Sequence, residues 1–492
     1  MGKEIMIRDL TFSYGGNGNQ LEHISLDIAA GEVIVMTGPS GSGKSSLTRV
    51  INGLIPYFYE GELSGEVFVD GKPLKEIPSW ERGKIAGNVF QDPRSQFFAN
   101  EVAGEVAFGC ENYGYSHEEI RNHVHRAAAD IKIQDILDHS LHSLSYGMRQ
   151  KVAIASAEAI DPEIYVMDEP SANLDIASTY RFADIIRDLK QQGKTIIIAE
   201  HRLYYLMDLA DRFLCVQKGK IVREFTAQQM KALSNEEIRV LGLRTPDLHQ
   251  IEQAEIPSAA TSEVVLEVKK LNHSFGETIV AKDIDFQCRK GEVIALIGPN
   301  GTGKSTIGRI LAGLLKEKSG EVVLFGKHCR PKGRLGKVWY IPQDLDSQLF
   351  GEDLLDELTT GAEVSPERKQ AAEEILEALE LMPFIKQHPS TLSGGQKQRL
   401  ALGVALMHEA PIIVLDEPTS GLDGTNMRNV SRMIRKLAKM GRTIIVITHD
   451  AECALACCER AIRLENGCIT DDFQIRGAEL LLDKIGYDQK EG

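Results

Sequence analysis

The sequence lacks any apolar run long enough to cross a lipid bilayer, which takes roughly 18 or more consecutive apolar residues. Its first ten residues, MGKEIMIRDL, also lack the apolar stretch of a secretory signal peptide. We therefore expect a cytoplasmic chain without a membrane span. Any association of this chain with a membrane would have to be peripheral.

The cysteine spacing argues against a zinc-binding protein, and the net charge argues against a nucleic-acid-binding protein. The eight cysteines show no zinc-type spacing, so we expect free thiols in a reducing compartment. The one cluster, Cys453, Cys457 and Cys458, is interpreted as small packing residues rather than metal ligands. With 56 basic and 71 acidic residues the formal net charge is −15, and we expect no nucleic-acid partner.

What the sequence does contain is one phosphate-binding pattern, G-x-x-x-x-G-K-[ST], twice, each time directly after an apolar run. Such a loop points successive backbone N–H groups and the start of a helix at a polyphosphate. A single match could be no more than a tight turn, but a duplicated one with matching flanks indicates a site. The predicted nucleotide-binding residues are Gly38, Pro39, Ser40, Gly41, Ser42, Gly43, Lys44, Ser45 and Ser46, and Gly298, Pro299, Asn300, Gly301, Thr302, Gly303, Lys304, Ser305 and Thr306.

Later features of the two halves repeat in register. Asp168 and Asp416 are 248 residues apart, and so are Ser145 and Ser393. A repeat of this period is a whole domain duplicated rather than a solenoid unit. We predict a first domain at 1–240, a linker at 241–262 that contains prolines and small polar residues, and a second domain at 263–492.

The pattern of apolar residues predicts an α/β fold for each half. Alternating segments at 5–14 and 264–275 indicate antiparallel strands. Unalternating β-branched runs, which end at acidic residues or histidines, indicate parallel strands buried on both faces. Residues 95–159 and 347–408 are predicted to form mostly helical subdomains. The predicted fold is therefore two tandem P-loop domains, each a mainly parallel sheet with an antiparallel β subdomain and a helical subdomain.

Paired carboxylates end one apolar run in each half, Asp168 with Glu169 and Asp416 with Glu417. Because neighbours on a strand point to different sides, one can serve Mg²⁺ while the other faces an attacking water. We assign the aspartates to Mg²⁺, together with the Ser45 and Ser305 hydroxyls, and the glutamates to water orientation. Alone such a pair is usually an exposed strand end, but here it follows a phosphate loop.

A histidine ends a later apolar run in each half, at His201 and His449. Either could hydrogen-bond a γ-phosphate, whereas an isolated histidine is more often structural. Lys44 and Lys304 are predicted to reach the outer phosphates as flexible point charges.

With these residues in place, the sequence resembles the ATP-binding cassette ATPases over nearly its whole length. Residues 392–396 match the LSGGQ signature of that family, and the segments that end at Asp175 and Asp423 are similar to its D-loops. Gln91 and Gln343 resemble the Q-loop glutamines, which the resemblance assigns to catalysis and to Mg²⁺. Tyr14 and Phe275 match the aromatic residue that stacks on adenine. The implied signature residues are Ser145, Gly147, Ser393, Gly394, Gly395 and Gln396.

The resemblance implies an ATPase with Mg²⁺ as cofactor, whose two halves pair head to tail and enclose two ATP molecules. Each phosphate loop would then face the signature of the other half. Lys304 would face Ser145 and Gly147, where Tyr146 adds bulk and Met148 removes an amide relative to the LSGGQ form. We expect this second site to close less well but still to hydrolyse ATP.

The segment after Gln91 resembles, more narrowly, the ATPase subunits of energy-coupling-factor (ECF) importers, which take up vitamins and transition-metal ions. The matching residues are Asp92, Pro93, Ser95, Gln96, Phe97, Glu105, Phe108, Gly109, Cys110, Glu111 and Asn112. In that family this region binds a transmembrane coupling subunit, and a separate membrane subunit binds the cargo. The resemblance implies a motor protein attached peripherally to the cytoplasmic face of the cell membrane.

The second half keeps only part of this pattern, because Leu345 replaces the proline and Thr360 replaces the aromatic residue of Phe108. Its membrane contact is therefore the weaker prediction. An aromatic run at 56–59 exists in the first half alone, and we favour local packing under a loop over contact with a partner. The sequence does not identify the cargo.

Three alternatives share the duplication. A tandem ATPase of a sugar importer is disfavoured by the segment after Gln91 and by two nearly complete catalytic sets. A ribosome-associated tandem protein would favour a long charged linker and a basic surface. A DNA-repair ATPase would favour zinc-type cysteine pairs, which this sequence lacks.

Overall fold

The computed structural model describes residues 2–15, 18–251, 260–361 and 365–487. The chain forms two compact units, 1–247 and 248–492. The boundary between them falls inside the predicted linker, of which residues 252–259 lie outside the described part of the chain.

The first unit contains ten strands and eight α-helices among its described residues. The strands are β1 (Ile5–Ser13), β2 (Leu21–Ile28), β3 (Val33–Thr37), β4 (Glu62–Val69), β5 (Lys72–Pro73), β6 (Ala86–Val89), β7 (Ile164–Asp168), β8 (Thr195–Ala199), β9 (Arg212–Gln217) and β10 (Lys220–Phe225). The helices are α1 (Lys44–Ile51), α2 (Ser79–Ile85), α3 (Val102–Asn112), α4 (His117–Ile131), α5 (Tyr146–Glu158), α6 (Ile176–Gln191), α7 (Ala227–Lys231) and α8 (Asn235–Leu241).

These strands form two sheets. A four-stranded antiparallel sheet has the order β2-β1-β4-β5, and a six-stranded sheet has the order β10-β9-β3-β8-β7-β6. The larger sheet is parallel except for β10, which runs antiparallel to β9. Every residue of β3 and β8 is buried, as expected for strands covered on both faces. Helices α3, α4 and α5 form the predicted helical insertion between β6 and β7.

The second unit repeats this plan. Its strands are β11 (Val264–Phe275), β12 (Thr278–Arg289), β13 (Val293–Ile297), β14 (Ser319–Leu324), β15 (Lys327–His328), β16 (Val338–Ile341), β17 (Ile412–Asp416), β18 (Thr443–Ile447), β19 (Arg460–Glu465) and β20 (Cys468–Gln474). Its helices are α9 (Lys304–Leu311), α10 (Pro331–Arg334), α11 (Leu354–Thr359), α12 (Pro366–Ala378), α13 (Gly394–Met407), α14 (Gly424–Lys439), α15 (Ala451–Cys457) and α16 (Ala478–Ile485).

The sheet orders of the second unit are β12-β11-β14-β15 and β16-β17-β18-β13-β19-β20. They correspond strand by strand to those of the first unit, which confirms the predicted fold class and the domain duplication. The cluster of Cys453, Cys457 and Cys458 is fully buried and unoxidised, as expected for packing residues. Within the described residues, no helix is both long and apolar enough to cross a membrane.

Candidate functional site

The phosphate loops connect β3 to α1 and β13 to α9. Gly38 and Gly298 open them with φ angles of 138° and 139°. A Cβ atom at either position would lie 2.1 Å from a backbone carbonyl oxygen, of Val216 or Leu464. Only glycine can therefore bring this loop against its neighbouring strand.

Two buried lysines occupy the first position of the following helices. Lys44 Nζ donates to the carbonyl oxygens of Gly38 and Pro39, both at 2.9 Å. Lys304 Nζ makes the equivalent bonds to Gly298 at 2.8 Å and Pro299 at 2.7 Å. Each ammonium group is thus held over its own loop, where the phosphate oxygens of a nucleotide can replace the carbonyl groups.

A hydroxyl and a carboxylate meet where Mg²⁺ is predicted in the first unit. Ser45 Oγ donates to Asp168 Oδ1 at 3.1 Å. Burial, together with the neighbouring Glu169, raises the pKa of Asp168 to about 6. A partly buried carboxylate with a raised pKa and an adjacent hydroxyl are oxygen donors of the kind that Mg²⁺ prefers, so these residues fit the ion.

The corresponding carboxylate of the second unit has an additional partner. The Tyr340 hydroxyl donates to Asp416 Oδ2 at 2.5 Å, and Asp416 also pairs with Ser305. Burial raises the pKa of Asp416, although the Tyr340 hydroxyl opposes this shift. The position of Tyr340 is taken by Asn88 in the first unit, so the sequence repeat gave no indication of this contact.

The predicted water-orienting glutamates stand at kinked strand ends. Glu169 and Glu417 have φ angles of 45° and 48°, and each backbone N–H donates at 2.8 Å to the next strand, to Ala199 and Ile447. Positive φ at a residue with a side chain costs energy and is concentrated at functional sites. The kink turns each glutamate away from the direction of the strand that carries it.

The first unit brings the predicted catalytic residues together. Gln91 Nε2 donates to Glu169 Oε2 at 2.8 Å, and His201 Nε2 lies 3.2 Å from Glu169 Oε1. The carboxylate therefore accepts a hydrogen bond from the Q-loop glutamine and lies beside the histidine.

The second unit joins its histidine to its glutamate through the other ring nitrogen. His449 Nδ1 lies 2.7 Å from Glu417 Oε1. Gln343 follows β16 at the same interval as Gln91 follows β6. Both units thus place a glutamine, a glutamate and a histidine at the carboxyl ends of adjacent strands.

The two signatures begin their helices differently. Ser145 accepts from the Met148 N–H at 3.3 Å. Ser393 and Gln396 instead form a reciprocal capping box, in which the Ser393 N–H donates to Gln396 Oε1 at 2.8 Å. Met148 has no side-chain group that could complete such a box in the first unit. Gly147, Gly394 and Gly395 lie in the first turns of α5 and α13.

The predicted adenine-stacking residues are accessible, whereas the predicted D-loop aspartates are buried. Tyr14, directly after β1, is 41 % exposed, and Phe275, at the end of β11, is 54 % exposed, so part of each side chain is accessible. The predicted D-loop aspartates, Asp175 and Asp423, accept from backbone N–H groups in the first turn of α6 and α14. In this position they fix the loop that precedes each helix.

Two buried carboxylates beside the histidines were missed. Ser171 Oγ donates to Glu200 Oε2 at 2.7 Å, and Thr419 Oγ1 donates to Asp450 Oδ2 at the same distance. Each bond ties the segment after the paired carboxylates to the strand end that carries the histidine. Glu200 precedes its histidine whereas Asp450 follows its own, so alignment of the two halves conceals the common role.

The loops after the Q-loop glutamines carry exposed aromatic rings. Glu105 Oε2 accepts from the N–H groups of Phe98 and Ala99 at 2.8 and 2.9 Å. Glu357 does the same for Phe350 and Gly351 at 2.7 and 2.6 Å. The rings of Phe98 and Phe350 are 74 % and 76 % exposed. We call the loop that carries Phe98 and the loop that carries Phe350 the aromatic loops.

The aromatic run at 56–59 does not pack as favoured from the sequence. Phe58 is 73 % exposed, whereas the rings of Tyr57 and Tyr59 are covered by the guanidinium groups of Arg82 and Arg49, each 4.2 Å from the ring centre. Phe58 and Phe98 line one cleft of about 540 Å³, which extends past Gln91 to Asp168. The expectation of local packing was therefore wrong for Phe58.

Comparison with known proteins agrees with this geometry. The family model described as ABC transporter matches residues 21–172 and 281–420. A Treponema denticola protein provisionally named an ABC transporter ATP-binding protein is 39 % identical, over 96 % of this chain and 98 % of its own length. The Bacillus subtilis protein YkoD, provisionally named an HMP/thiamine import ATP-binding protein, is 31 % identical over 99 % of this chain and 94 % of its own.

Among solved structures, a chain in a model of ribosome-bound archaeal Pelota and ABCE1 superposes with a TM-score of 0.70. It covers 97 % of this chain and 81 % of that chain at 24 % sequence identity. This similarity shows the two-cassette fold.

Proposed function

Because the chain belongs to the ABC transporter family of ATP-binding proteins and is an ATPase, we propose that it is the motor subunit of an ECF-type membrane importer. Its cargo would be a vitamin or a transition-metal ion. The observation that carries this proposal is the cleft that connects the exposed Phe98 to Gln91 and Asp168. A partner bound to the aromatic loop that carries Phe98 would lie next to the residues proposed to hold the nucleotide.

The catalytic part of the proposal follows from the side chains around Glu169. Lys44 and the backbone of its loop would bind the β- and γ-phosphates of ATP. Glu169, which accepts from Gln91 and lies beside His201, would orient the attacking water, and Glu417 with His449 would do so in the second unit. Mg²⁺, bound near Ser45 and Asp168, would offset the charge of the phosphates.

We propose that the two ATP sites are formed head to tail between the halves. Each phosphate loop would then be completed by Ser145 and Gly147 or by residues 393–396 of the other half. The signature of one half would close the site on the phosphate loop of the other, and each half carries one phosphate loop and one signature segment. The unequal helix starts at Ser145 and Ser393 support the proposal that the two sites differ.

The proposed membrane partner is a transmembrane coupling subunit that docks on the aromatic loops. Phe98 is stacked on Phe108 at 4.7 Å with planes 9° apart, and Glu105 is almost fully buried beneath the loop. The exposed ring is therefore presented on a fixed loop rather than on a loose one. Phe350, held in the same way by Glu357, would form a second contact, so both halves would bind the partner.

Two further features support an importer over the soluble alternative. YkoD, which this chain matches over nearly its whole length, carries an import name. The net charge of −15 opposes binding to ribosomal RNA. The chain would lie on the cytoplasmic face of the cell membrane, and a separate membrane subunit would bind the cargo. A sugar importer is the alternative within the same class.

The experiment is a pull-down of tagged full-length chain from detergent-solubilised native membranes. Phe98→Ala with Phe350→Ala should reduce recovery of membrane partners at least tenfold, because exposed aromatic anchors often contribute about 2 kcal/mol or more to an interface. Phe325→Ala, at an exposed phenylalanine outside the loops, is the matched control. ATP affinity of each variant, measured by fluorescence, reports whether the fold is intact. Unchanged recovery from the double variant would place the docking surface elsewhere.

A further inference from the structure

Tyr146 connects two parts of the first unit that the sequence gives no reason to join. It is the first residue of α5, directly after Ser145, at the position where the second unit has Gly394. Its hydroxyl donates to the backbone carbonyl oxygen of Gln91.

The acceptor belongs to the residue that also holds the water-orienting carboxylate. The Gln91 side-chain amide donates to Glu169 Oε2 at 2.8 Å. Two successive hydrogen bonds therefore lead from the start of the signature helix, through Gln91, to Glu169. A shift of the Q-loop in this unit cannot occur without either moving α5 or breaking the Tyr146 bond.

The second unit makes the corresponding connection with charges. Gly394 has no side chain, and Lys397 Nζ of the signature helix instead donates to Asp346 Oδ1 of the Q-loop segment at 2.6 Å. Asp346 is 70 % exposed at its side chain. An exposed ion pair of this kind is weak and is screened by salt.

That ion pair has no counterpart in the first unit, because both equivalent positions carry arginine. Arg94 pairs with Asp92 at 3.0 Å inside the Q-loop segment, and Arg149 donates to the Leu141 carbonyl oxygen at 3.0 Å. The two units thus link the same pair of segments by different chemistry. The neutral link of the first unit is insensitive to ionic strength.

We propose that Tyr146 is a positioning residue that fastens the first signature helix to the Q-loop of its own half. It makes Ser145 and Gly147 follow the movement of Gln91 as γ-phosphate arrives and leaves. This inference rests on the proposed head-to-tail sites, since the first signature would then serve the nucleotide on Lys304. Through Tyr146, the state of one site would be communicated to the other.

The test is the ATPase of purified full-length Tyr146→Phe, which removes one oxygen atom and keeps the ring. Since a lost hydrogen bond changes a rate by about three- to tenfold, kcat should fall by that factor. The Hill coefficient for ATP should also fall toward one, while thermal stability and ATP affinity remain those of the wild type. Tyr113→Phe is the matched control, because Tyr113 makes a hydroxyl bond to the Trp80 carbonyl oxygen at 3.1 Å outside the site.

Salt provides a second, independent readout. Raising the salt concentration should weaken the Lys397–Asp346 ion pair of the second unit and leave the Tyr146 hydrogen bond of the first unit unchanged. Because Tyr146→Phe removes that hydrogen bond, kcat of the variant should depend more strongly on salt than kcat of the wild type. A kcat and a Hill coefficient equal to those of the wild type would overturn the positioning role. Parallel losses of stability, ATP affinity and activity would also overturn it, because they would mark Tyr146 as structural. The assay contains no membrane, so its outcome does not depend on the docking proposal.

Discussion

Asp168 offers a test in which removal of a predicted metal ligand stabilises the free protein. Its pKa is raised from 3.8 to about 6 by burial and by Glu169. At pH 8 the carboxylate is ionised in both the folded and the unfolded chain, and its ionisation costs more free energy in the folded chain. At about 1.4 kcal/mol per pKa unit, this cost is on the order of 3 kcal/mol.

The sign of the pH dependence follows from the direction of the shift. A carboxyl group with a raised folded-state pKa destabilises the fold increasingly as pH rises through about 6, and the cost disappears below the unfolded value near 4. The substitution Asp168→Asn removes the charge and keeps an oxygen that can accept from Ser45. It should raise the free energy of unfolding of the first unit by roughly 3 kcal/mol at pH 8 and by about half as much at pH 5.

Urea unfolding of the nucleotide-free full chain, with magnesium removed, measures this gain. Asp416→Asn is the matched control, and it should gain less because the Tyr340 hydroxyl already stabilises the ionised Asp416. Added ATP with Mg²⁺ should make the wild type more stable than Asp168→Asn, because only the wild type keeps the Asp168 carboxylate as a ligand of Mg²⁺. A less stable Asp168→Asn protein at pH 8, or a gain that does not change with pH, would refute the reasoning.

The remaining predictions concern hydrolysis. Glu169→Gln combined with Glu417→Gln should lower steady-state phosphate release by about 10²- to 10⁴-fold, the usual contribution of general-base assistance, while ATP affinity persists. Unchanged turnover would assign the base elsewhere. Of the two single variants, Glu169→Gln should be the more damaging, because Lys44 would face the complete signature at 393–396; equal losses or the reverse order would contradict unequal sites.

Much of the nucleotide site could be predicted from the sequence, because its geometry is local. Gly38 and Lys44 belong to one short loop whose backbone requirements appear directly as residue types. The paired carboxylates end a strand whose burial on both faces was evident from its composition. In such cases the main-chain path determines where the side chain lies.

Contacts between distant segments could not be predicted in this way. The bond from Tyr146 to Gln91 joins residues that are 55 positions apart, and nothing in either neighbourhood signals the other. Tyr340 replaces an asparagine, so the repeat conceals its bond to Asp416. Glu200 precedes its histidine and Asp450 follows its own, yet both accept from hydroxyl groups at equivalent positions. Such roles depend on three-dimensional position rather than on register.

The sequence also could not indicate which residue of each aromatic loop is exposed. The sequence pattern drew attention to Phe97, which packs against the core, whereas the exposed ring belongs to its neighbour Phe98. The N–H groups of Phe98 and Ala99 donate to Glu105, and these bonds fix the backbone that turns Phe98 rather than Phe97 outward. The second half, expected to be the weaker contact, presents Phe350 with equal exposure.

The measurement that tests the proposed function most directly is affinity purification of the tagged full-length chain from native membranes, followed by identification of the co-purifying proteins. The account predicts two small integral membrane proteins, one for coupling and one for cargo, in amounts comparable to the chain. Their recovery should fall with Phe98→Ala and Phe350→Ala. Co-purification with ribosomal subunits and without any integral membrane protein would contradict it.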